Sequence, residues 1–164
     1  MSIEATRLKT PSFKGLHPAS SFASKVKRAN RSVRTAHERL FQLELKRTGL
    51  KFNRNVSSLV GKPDIVFREA QVAVFCDGDF WHGRNSSRLL QKLRTGTNSQ
   101  YWMAKIARNV QRDRDVNKLL RRSGWLVLRF WETDIKKVPR LLASKVKSIV
   151  RRRTRRKAQQ NALY

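Results

Sequence analysis

Two short apolar runs separated by four residues constrain the fold of this chain more than any other feature. The runs Ile65-Val66-Phe67 and Val72-Ala73-Val74-Phe75-Cys76 flank the break Arg68-Glu69-Ala70-Gln71. Runs of this length, rich in Val, Ile and Phe and interrupted by polar residues, predict a β-hairpin. Because the runs are nearly all apolar, we expect strands that are covered on both faces.

Helical patterns lie on both sides of this hairpin in the sequence. Apolar residues recur at helical spacing from about Arg34 to Thr48, where Gly49 ends the pattern. A second pattern runs from about Gln100 to Arg122 and ends at Gly124. Each pattern predicts an amphipathic helix.

The remaining segments complete a layered fold. Residues 50–56 predict a short strand or extended piece, residues 77–99 a long loop, and residues 125–131 a third buried-looking strand. A last amphipathic helix is predicted from its apolar residues Ile135, Val138, Leu141, Leu142, Val146 and Ile149. These elements add up to an α/β fold with a small mixed β-sheet flanked by helices.

With 164 residues, the chain is long enough for one domain with its own core. Residues 1–30 are polar and basic, and they predict a flexible N-terminal arm. Residues 31–150 carry the patterns described above and form the predicted domain. Residues 151–164 predict a basic, disordered C-terminal tail.

The charge balance indicates a polyanionic partner. Lys and Arg number 38 against 11 Asp and Glu, for a formal net charge of +27. A field of this sign attracts nucleic acid, and counterion release supplies affinity for its backbone. Charge does not by itself imply an enzyme, so a non-catalytic module that binds DNA or RNA remains an alternative.

Cysteine content and hydropathy indicate the compartment. Cys76 is the only cysteine, which excludes an internal disulfide framework and a zinc cluster of thiolates. No apolar stretch approaches the roughly 20 residues that span a bilayer, and the N-terminus lacks the apolar segment of a signal peptide. We expect a soluble, cytoplasmic, nucleoid-associated monomer with no membrane partner.

Carboxylates are scarce in this chain, so those beside apolar segments are candidates for chemistry. Asp64 follows Pro63 at the start of the first hairpin strand. A carboxylate there can bind a hard cation such as Mg²⁺ through oxygen. The alternative is a turn residue that only leads into the strand.

Asp113 interrupts the apolar stripe of the long helix. The stripe contains Ile106, Val110, Val116 and Leu120, and position 113 lies on the same face. An unpaired carboxylate on an inward face is costly, so we expect a metal, a histidine or an arginine beside it. A purely structural salt bridge with an arginine is the alternative to a role in chemistry.

His82 follows the hairpin directly after two aromatic residues, Phe80 and Trp81. A histidine near Asp64 could activate water or protonate a leaving group, whereas a lone histidine is usually structural. The two aromatic residues are compatible with core packing. They are also compatible with wedging between DNA base steps.

The site pattern of ordinary restriction enzymes is only half present. Pro63-Asp64 matches its first part, but the next strand ends in Cys76-Asp77-Gly78-Asp79 without the catalytic lysine. A nuclease on this sheet would need a histidine instead, and His82 is the nearby candidate because His17 and His37 lie well upstream. Glu38, on the first helix, is compatible with a place in the site or with a capping or salt-bridge role.

Several short motifs occur together in one order between about residue 25 and residue 135. They include Thr35-Ala36-His37-Glu38-Arg39-Leu40, Gly61-Lys62-Pro63-Asp64-Ile65-Val66-Phe67, Phe80-Trp81-His82-Gly83, Tyr101-Trp102, Arg112-Asp113, Gly124-Trp125 and Trp131-Glu132. This order and spacing resemble the very-short-patch repair (Vsr) endonucleases. Several motifs in the right order are a far more specific signal than any one of them.

The resemblance implies a restriction-endonuclease-like core that cuts one strand of double-stranded DNA beside a mismatch. It implies that Asp64 is the principal Mg²⁺ ligand, that the Cys76 main-chain carbonyl is a second ligand, and that His82 is the general acid/base. Glu38 and Asp113 would support the catalytic site. The residues expected to contact DNA are Phe80, Trp81, Trp102, Lys62 and Arg84.

One departure from the family pattern concerns zinc. Family members of the mismatch-repair type hold a structural zinc with Cys and His, and the matching positions here are Asp79, Arg84, Ser86 and Thr133. We therefore expect no structural zinc, and the loop after His82 must be held in another way. A homing or restriction endonuclease with a Vsr-like core fits the same catalytic residues and stays open as an alternative.

Overall fold

A computed structural model describes residues 35–84, 91 and 98–162. The predicted N-terminal arm lies outside the described residues, as does most of the loop after Arg84. Within the described residues the helices and strands are α1 (Ala36–Arg47), β1 (Asn53–Arg54), β2 (Ile65–Phe67), β3 (Val72–Asp77), α2 (Ser99–Arg122), β4 (Leu126–Trp131), α3 (Glu132–Lys137) and α4 (Pro139–Asn161).

The strands form one mixed sheet in the order β1-β2-β3-β4. Strands β1 and β2 pair antiparallel, as do β2 and β3, which confirms the predicted hairpin. Strands β3 and β4 pair in parallel from Val72↔Leu126 to Asp77↔Trp131. Both strands therefore end at the same edge of the sheet, and the polar residue Asp77 lies there.

Helices cover both faces of the sheet, as the apolar runs predict. On one face Val72, Val74 and Cys76 pack with residues of α1, α3 and α4 into the larger core. On the other face Ala73 and Phe75 pack with residues of α2, together with Val127 of β4. Because side chains alternate along a strand, the residues that follow this second set in register also point toward α2.

Helix α1 begins and ends as its sequence predicts. The Thr35 hydroxyl oxygen accepts a hydrogen bond from the Glu38 amide, and this is a standard N-cap interaction. Gly49, with φ of +78°, follows the C-cap residue Thr48, at a position where a left-handed conformation favours glycine. The N-cap interaction places Glu38 in the first turn of the helix.

The C-terminal region differs from the prediction in two ways. The last amphipathic segment is divided into α3 and α4, because Pro139 begins a new helix at a position where its missing amide is tolerated. Helix α4 then continues through Asn161, so the prediction of disorder is wrong for residues 151–161. The Arg153 side chain donates to the carbonyls of Ala70 and Gly124, which ties this part of α4 to the sheet.

The division of the chain into an arm, a domain and a tail stays a prediction. Within the described residues, no helix is both long and apolar enough to cross a membrane.

Candidate active site

The predicted site residues converge on the edge of the sheet where β3 ends. Asp64 immediately precedes β2, and its Oδ2 accepts a hydrogen bond of 2.8 Å from the Cys76 amide. The Asp64 main-chain carbonyl accepts from the Asn55 amide at 2.9 Å, which extends the pairing of β1 with β2. The sheet therefore holds both the backbone and the carboxylate of Asp64.

The Asp64 carboxyl group lies in an environment that disfavours its charge. Burial raises the pKa of Asp64 to about 7, although the hydrogen bond from the Cys76 amide lowers it. The negative charges of Glu38 and Asp77 raise it further. Three carboxylates thus act on one another at this end of the sheet.

The same environment suits a hard cation. A divalent cation relieves repulsion between neighbouring carboxylates, and Mg²⁺ binds through one or two protein oxygens completed by water and phosphate. The Asp64 carboxylate and the Cys76 carbonyl are oxygen donors of the right kind. In the described part of the chain, no group of three or more His, Cys, Asp or Glu side chains could hold a metal unaided.

The Cys76 side chain does not contribute chemistry of its own. Burial raises the pKa of the Cys76 thiol well above its ordinary value, and the nearby Asp64 carboxylate adds to this effect. The thiol therefore stays protonated and contributes only to packing, in the larger core.

His82 and Asp113 form a hydrogen-bonded pair. His82 is therefore a partner of the kind that an inward-facing Asp113 requires. The His82 Nδ1 lies 2.5 Å from Asp113 Oδ2. Because an ionised carboxylate can only accept, Nδ1 carries the proton and Nε2 of the neutral ring is left as the basic nitrogen. Burial alone would raise the pKa of Asp113, but the hydrogen bond from His82 and the charge of Arg129 hold it below its ordinary value.

Two residues that the sequence interpretation did not single out complete this network. Asp77, the last residue of β3, lies with Oδ1 3.6 Å from His82 Nδ1. Arg129 of β4 donates to Asp77 through Nε at 2.6 Å and Nη2 at 2.8 Å, and Nη2 lies 3.0 Å from Asp113 Oδ1. The expected arginine partner of Asp113 is therefore present alongside the histidine.

His37 is also part of this region, so the prediction that set it aside as distant was wrong. His37 Nε2 lies 3.3 Å from the Cys76 carbonyl oxygen and 3.2 Å from Thr35 Oγ1. On the next residue, Glu38, Oε1 accepts a hydrogen bond of 2.8 Å from the Thr35 hydroxyl. Glu38 thus takes part in the capping interaction and also lies close enough to influence Asp64.

The aromatic residues predicted to contact DNA form one cluster. The ring centroids of Phe80 and Trp81 are 4.9 Å apart, and Trp102 of α2 lies 5.8 Å from Trp81 and 6.1 Å from Phe80. All three side chains are partly buried. The Lys105 ammonium lies 5.3 Å from the centroid of the Trp81 ring, at a distance typical of cation–π contacts.

Comparison with known proteins identifies the family. The family model described as DNA mismatch endonuclease Vsr matches residues 19–88. The Type II nicking enzyme V.NmeDIP of Neisseria meningitidis serogroup C is 39% identical over 127 residues, which cover 77% of this chain and 84% of the relative. This chain belongs to the Vsr DNA mismatch endonuclease family. It is a DNA nicking endonuclease, and its substrate is DNA.

Two further relatives show the range of the Vsr family. The Type II nicking enzyme V.HpaIIP of Haemophilus parainfluenzae is 32% identical over 125 residues, covering 76% of this chain and 87% of the relative. The DNA mismatch endonuclease Vsr of Escherichia coli (strain K12) is 36% identical over 113 residues, covering 69% of this chain and 70% of the relative. The mixed sheet with helices on both faces is consistent with the restriction-endonuclease-like fold expected of this family.

Three of the four positions that match the zinc-binding residues of mismatch-repair Vsr enzymes take part in a polar clasp in this chain. We use this name for Asp79, Arg84, Thr133 and Asp134. Arg84 Nη2 donates to Asp134 Oδ1 at 2.7 Å and Nη1 to Asp79 Oδ1 at 3.4 Å, and the Thr133 hydroxyl donates to Asp79. The clasp joins the segment after β3 to the start of α3, while Ser86 lies outside the described residues.

The two cations predicted to contact DNA have different surroundings in this Vsr-family chain. Lys62 is exposed and adopts a positive φ of 53° in the turn before Asp64. Arg84 is engaged by the clasp, and its guanidinium lies 5.7 Å from the centroid of the Trp131 ring. Contact with DNA stays a prediction for both residues.

Proposed function

We propose that this enzyme nicks duplex DNA by Mg²⁺-dependent hydrolysis of one phosphodiester bond, beside a T:G mismatch. One observation carries the chemical part of the proposal. The Asp64–Cys76 pair and the His82–Asp113 pair lie at the same end of the sheet, and Asp77 directly follows Cys76 and lies beside His82. A cation site and a proton-transfer group are thus available side by side.

In this proposal the Asp64 carboxylate and the Cys76 carbonyl would hold Mg²⁺. When bound, the ion would stabilise negative charge on the phosphoryl oxygens and help to activate the attacking water. The role of Glu38 is electrostatic, because its charge acts on Asp64. The carboxylates of Asp77 and Asp113 lie beside His82.

His82 acts as the general acid/base. With Nδ1 bonded to Asp113, the basic Nε2 accepts a proton from the attacking water or returns one to the leaving oxygen. Asp113 holds the ring in the required tautomer and compensates its charge when both nitrogens are protonated. Proton transfer of this kind contributes roughly 10²–10⁴-fold to a rate.

The aromatic cluster supports recognition of a disturbed duplex. Phe80, Trp81 and Trp102 present three rings at the segment that leads out of the site, and aromatic wedges enter base steps most easily where pairing is weak. Lys62 and Arg84 would contact backbone phosphates of the DNA on either side of this aromatic cluster. We propose that one molecule of this chain binds one duplex.

The first experiment tests the chemistry. Supercoiled plasmid that carries a T:G mismatch, incubated with the protein and Mg²⁺, should become open circular without linear product. No conversion of this plasmid or of any other duplex would refute the proposal. Asp64→Ala and His82→Ala should lose nicking by at least about 10²-fold while binding DNA normally. Asp115→Asn is the matched control, because Asp115 is an exposed aspartate on α2, and it should nick like the wild type.

The second experiment tests the substrate. Two end-labelled duplexes that differ only in a T:G or T:A pair are compared at equal concentration, and faster cleavage of the T:G duplex supports the mismatch role. Equal cleavage of both favours a sequence-specific nicking enzyme that acts on paired DNA. That second candidate draws support from the relatives named Type II nicking enzymes.

A further inference from the structure

Arg129 is a charged residue in the middle of an otherwise apolar strand. Strand β4 reads Leu-Val-Leu-Arg-Phe-Trp, and Leu126, Leu128 and Phe130 pack against the larger core. Alternation therefore turns Arg129 toward α2, opposite Phe75 in the parallel register. Its side chain is about four-fifths buried, with a relative exposure of 19%.

The guanidinium of Arg129 is held on every side. It donates to both carboxylate oxygens of Asp77, its Nη2 lies 3.0 Å from Asp113 Oδ1, and its Nη1 donates to Asn117 Oδ1 at 3.2 Å. Its carbon Cζ lies 4.5 Å from the centroid of the Phe75 ring. Only a planar fork with several donors can make these contacts at once.

The contacts of Arg129 determine which of two carboxylates forms a hydrogen bond with His82. His82 Nδ1 lies 2.5 Å from Asp113 and 3.6 Å from Asp77, and its one proton can serve only one of them well. Arg129 engages both oxygens of Asp77 but only Oδ1 of Asp113. Oδ2 of Asp113 is thus left for His82.

We infer that Arg129 is a positioning residue of the nicking reaction, which restrains Asp77 so that His82 stays paired with Asp113. This inference rests on the proposed role of His82 as general acid/base. Without Arg129, two carboxylates of like charge would face each other in a partly buried site, and Asp77 would compete for the His82 proton. The imidazole ring would then leave the orientation that serves the scissile phosphate.

The test measures the rate constant of single-turnover nicking at saturating protein, so that the rate of the bound complex (called turnover below) is separated from DNA binding. Arg129→Gln should slow turnover about 100-fold, the loss expected from misplacing a catalytic group by about 1 Å. Arg129→Lys restores the charge without the fork and should fall between Arg129→Gln and the wild type. Affinity for the same duplex, measured without metal, should stay within about threefold.

A double variant separates positioning from a general loss of structure. If Arg129 acts by restraining Asp77, then Asp77→Asn combined with Arg129→Gln should nick at least about tenfold faster than Arg129→Gln alone. A loss of packing would not be repaired by this change. The matched control is Arg153→Gln, because Arg153 makes comparable hydrogen bonds at the opposite end of β3 and β4, and its turnover should be unchanged.

Circular dichroism and thermal melting establish which variants are folded. Wild-type turnover in folded Arg129→Gln, or no recovery in the double variant, would overturn the inference while leaving the proposed function intact. Should Arg129→Gln fail to fold, Arg129→Lys decides, since slowed turnover supports the inference and wild-type turnover overturns it. Normal nicking by His82→Ala would instead refute the proposed role of His82, and this inference with it.

Discussion

Replacement of Asp64 by asparagine should stabilise the metal-free protein at pH 8 and change its stability little near pH 4. The pKa of Asp64 in the folded protein is about 7, against an ordinary value of 3.8, and burial is the main cause. Between these two values the folded state binds more protons than the unfolded state. The contribution of Asp64 to stability therefore falls as pH rises from about 4 to about 7.

The size of this effect follows from the difference between the two pKa values. Each unit corresponds to about 1.4 kcal/mol, so a difference of about three units corresponds to about 4 kcal/mol. The Asp64 side chain is only partly enclosed, which reduces the penalty. We expect the advantage of Asp64→Asn in unfolding free energy to grow by about 2 to 4 kcal/mol between pH 4 and pH 8.

Urea unfolding in EDTA at several pH values, followed by circular dichroism, measures this difference directly. The asparagine side chain would keep an oxygen that can accept from the Cys76 amide, so the comparison isolates the charge. Asp115→Asn is the matched control and should show no such trend, because Asp115 is exposed. The reasoning would be refuted if Asp64→Asn had no higher unfolding free energy than the wild type at pH 8, or if the difference were the same at pH 4 and pH 8.

Two further predictions concern the clasp and the turn before Asp64. Arg84→Ala should increase chymotrypsin cleavage at Phe80 and Trp81 severalfold, since Arg84 bridges Asp79 and Asp134. EDTA should leave cleavage of the wild type unchanged. Cleavage induced by EDTA would mean that a metal, and not the clasp, holds the segment after β3. Gly61→Ala should lower the unfolding free energy by about 2 to 4 kcal/mol, because φ is +77° and the new Cβ would lie 2.4 Å from Val116 Cγ1. Gly49→Ala is its control, because Gly49 has a similar φ of +78° and a new Cβ there would meet no atom within 4 Å. This control should lose only about 1 kcal/mol of unfolding free energy in the same urea titration. Equal losses in the two variants would argue against the contact with Val116.

The sequence alone was enough to predict those features that depend on local pattern. The hairpin follows from two apolar runs of strand length, and the inward position of Asp113 follows from the helical stripe that it interrupts. The requirement that Asp113 have a partner was physical, and it led to a short list that contained both observed partners. The roles of Asp64, His82 and Glu38 in chemistry stay predictions.

The features that the sequence did not reveal depend on pairing between distant segments. Arg129 is a charge within an apolar strand, and it therefore requires a partner for the same physical reason as Asp113. Its partner Asp77 lies 52 residues away, and the parallel register of β3 and β4 that joins them cannot be read from either strand alone. His37 was dismissed for its distance along the chain, which the packing of α1 against the sheet makes irrelevant.

The helical form of the C-terminal basic run limits how its charge can be used. Residues 151–157 carry six cations, and successive residues on a helix point about 100° apart around the axis. A flexible tail could lay all six against one duplex, but a rigid helix presents only about two or three to any flat array of phosphates. Arg153 is already turned inward to two main-chain carbonyls. The net charge of +27 therefore overstates how many counterions a bound duplex would release, and the salt dependence of binding should be correspondingly shallow.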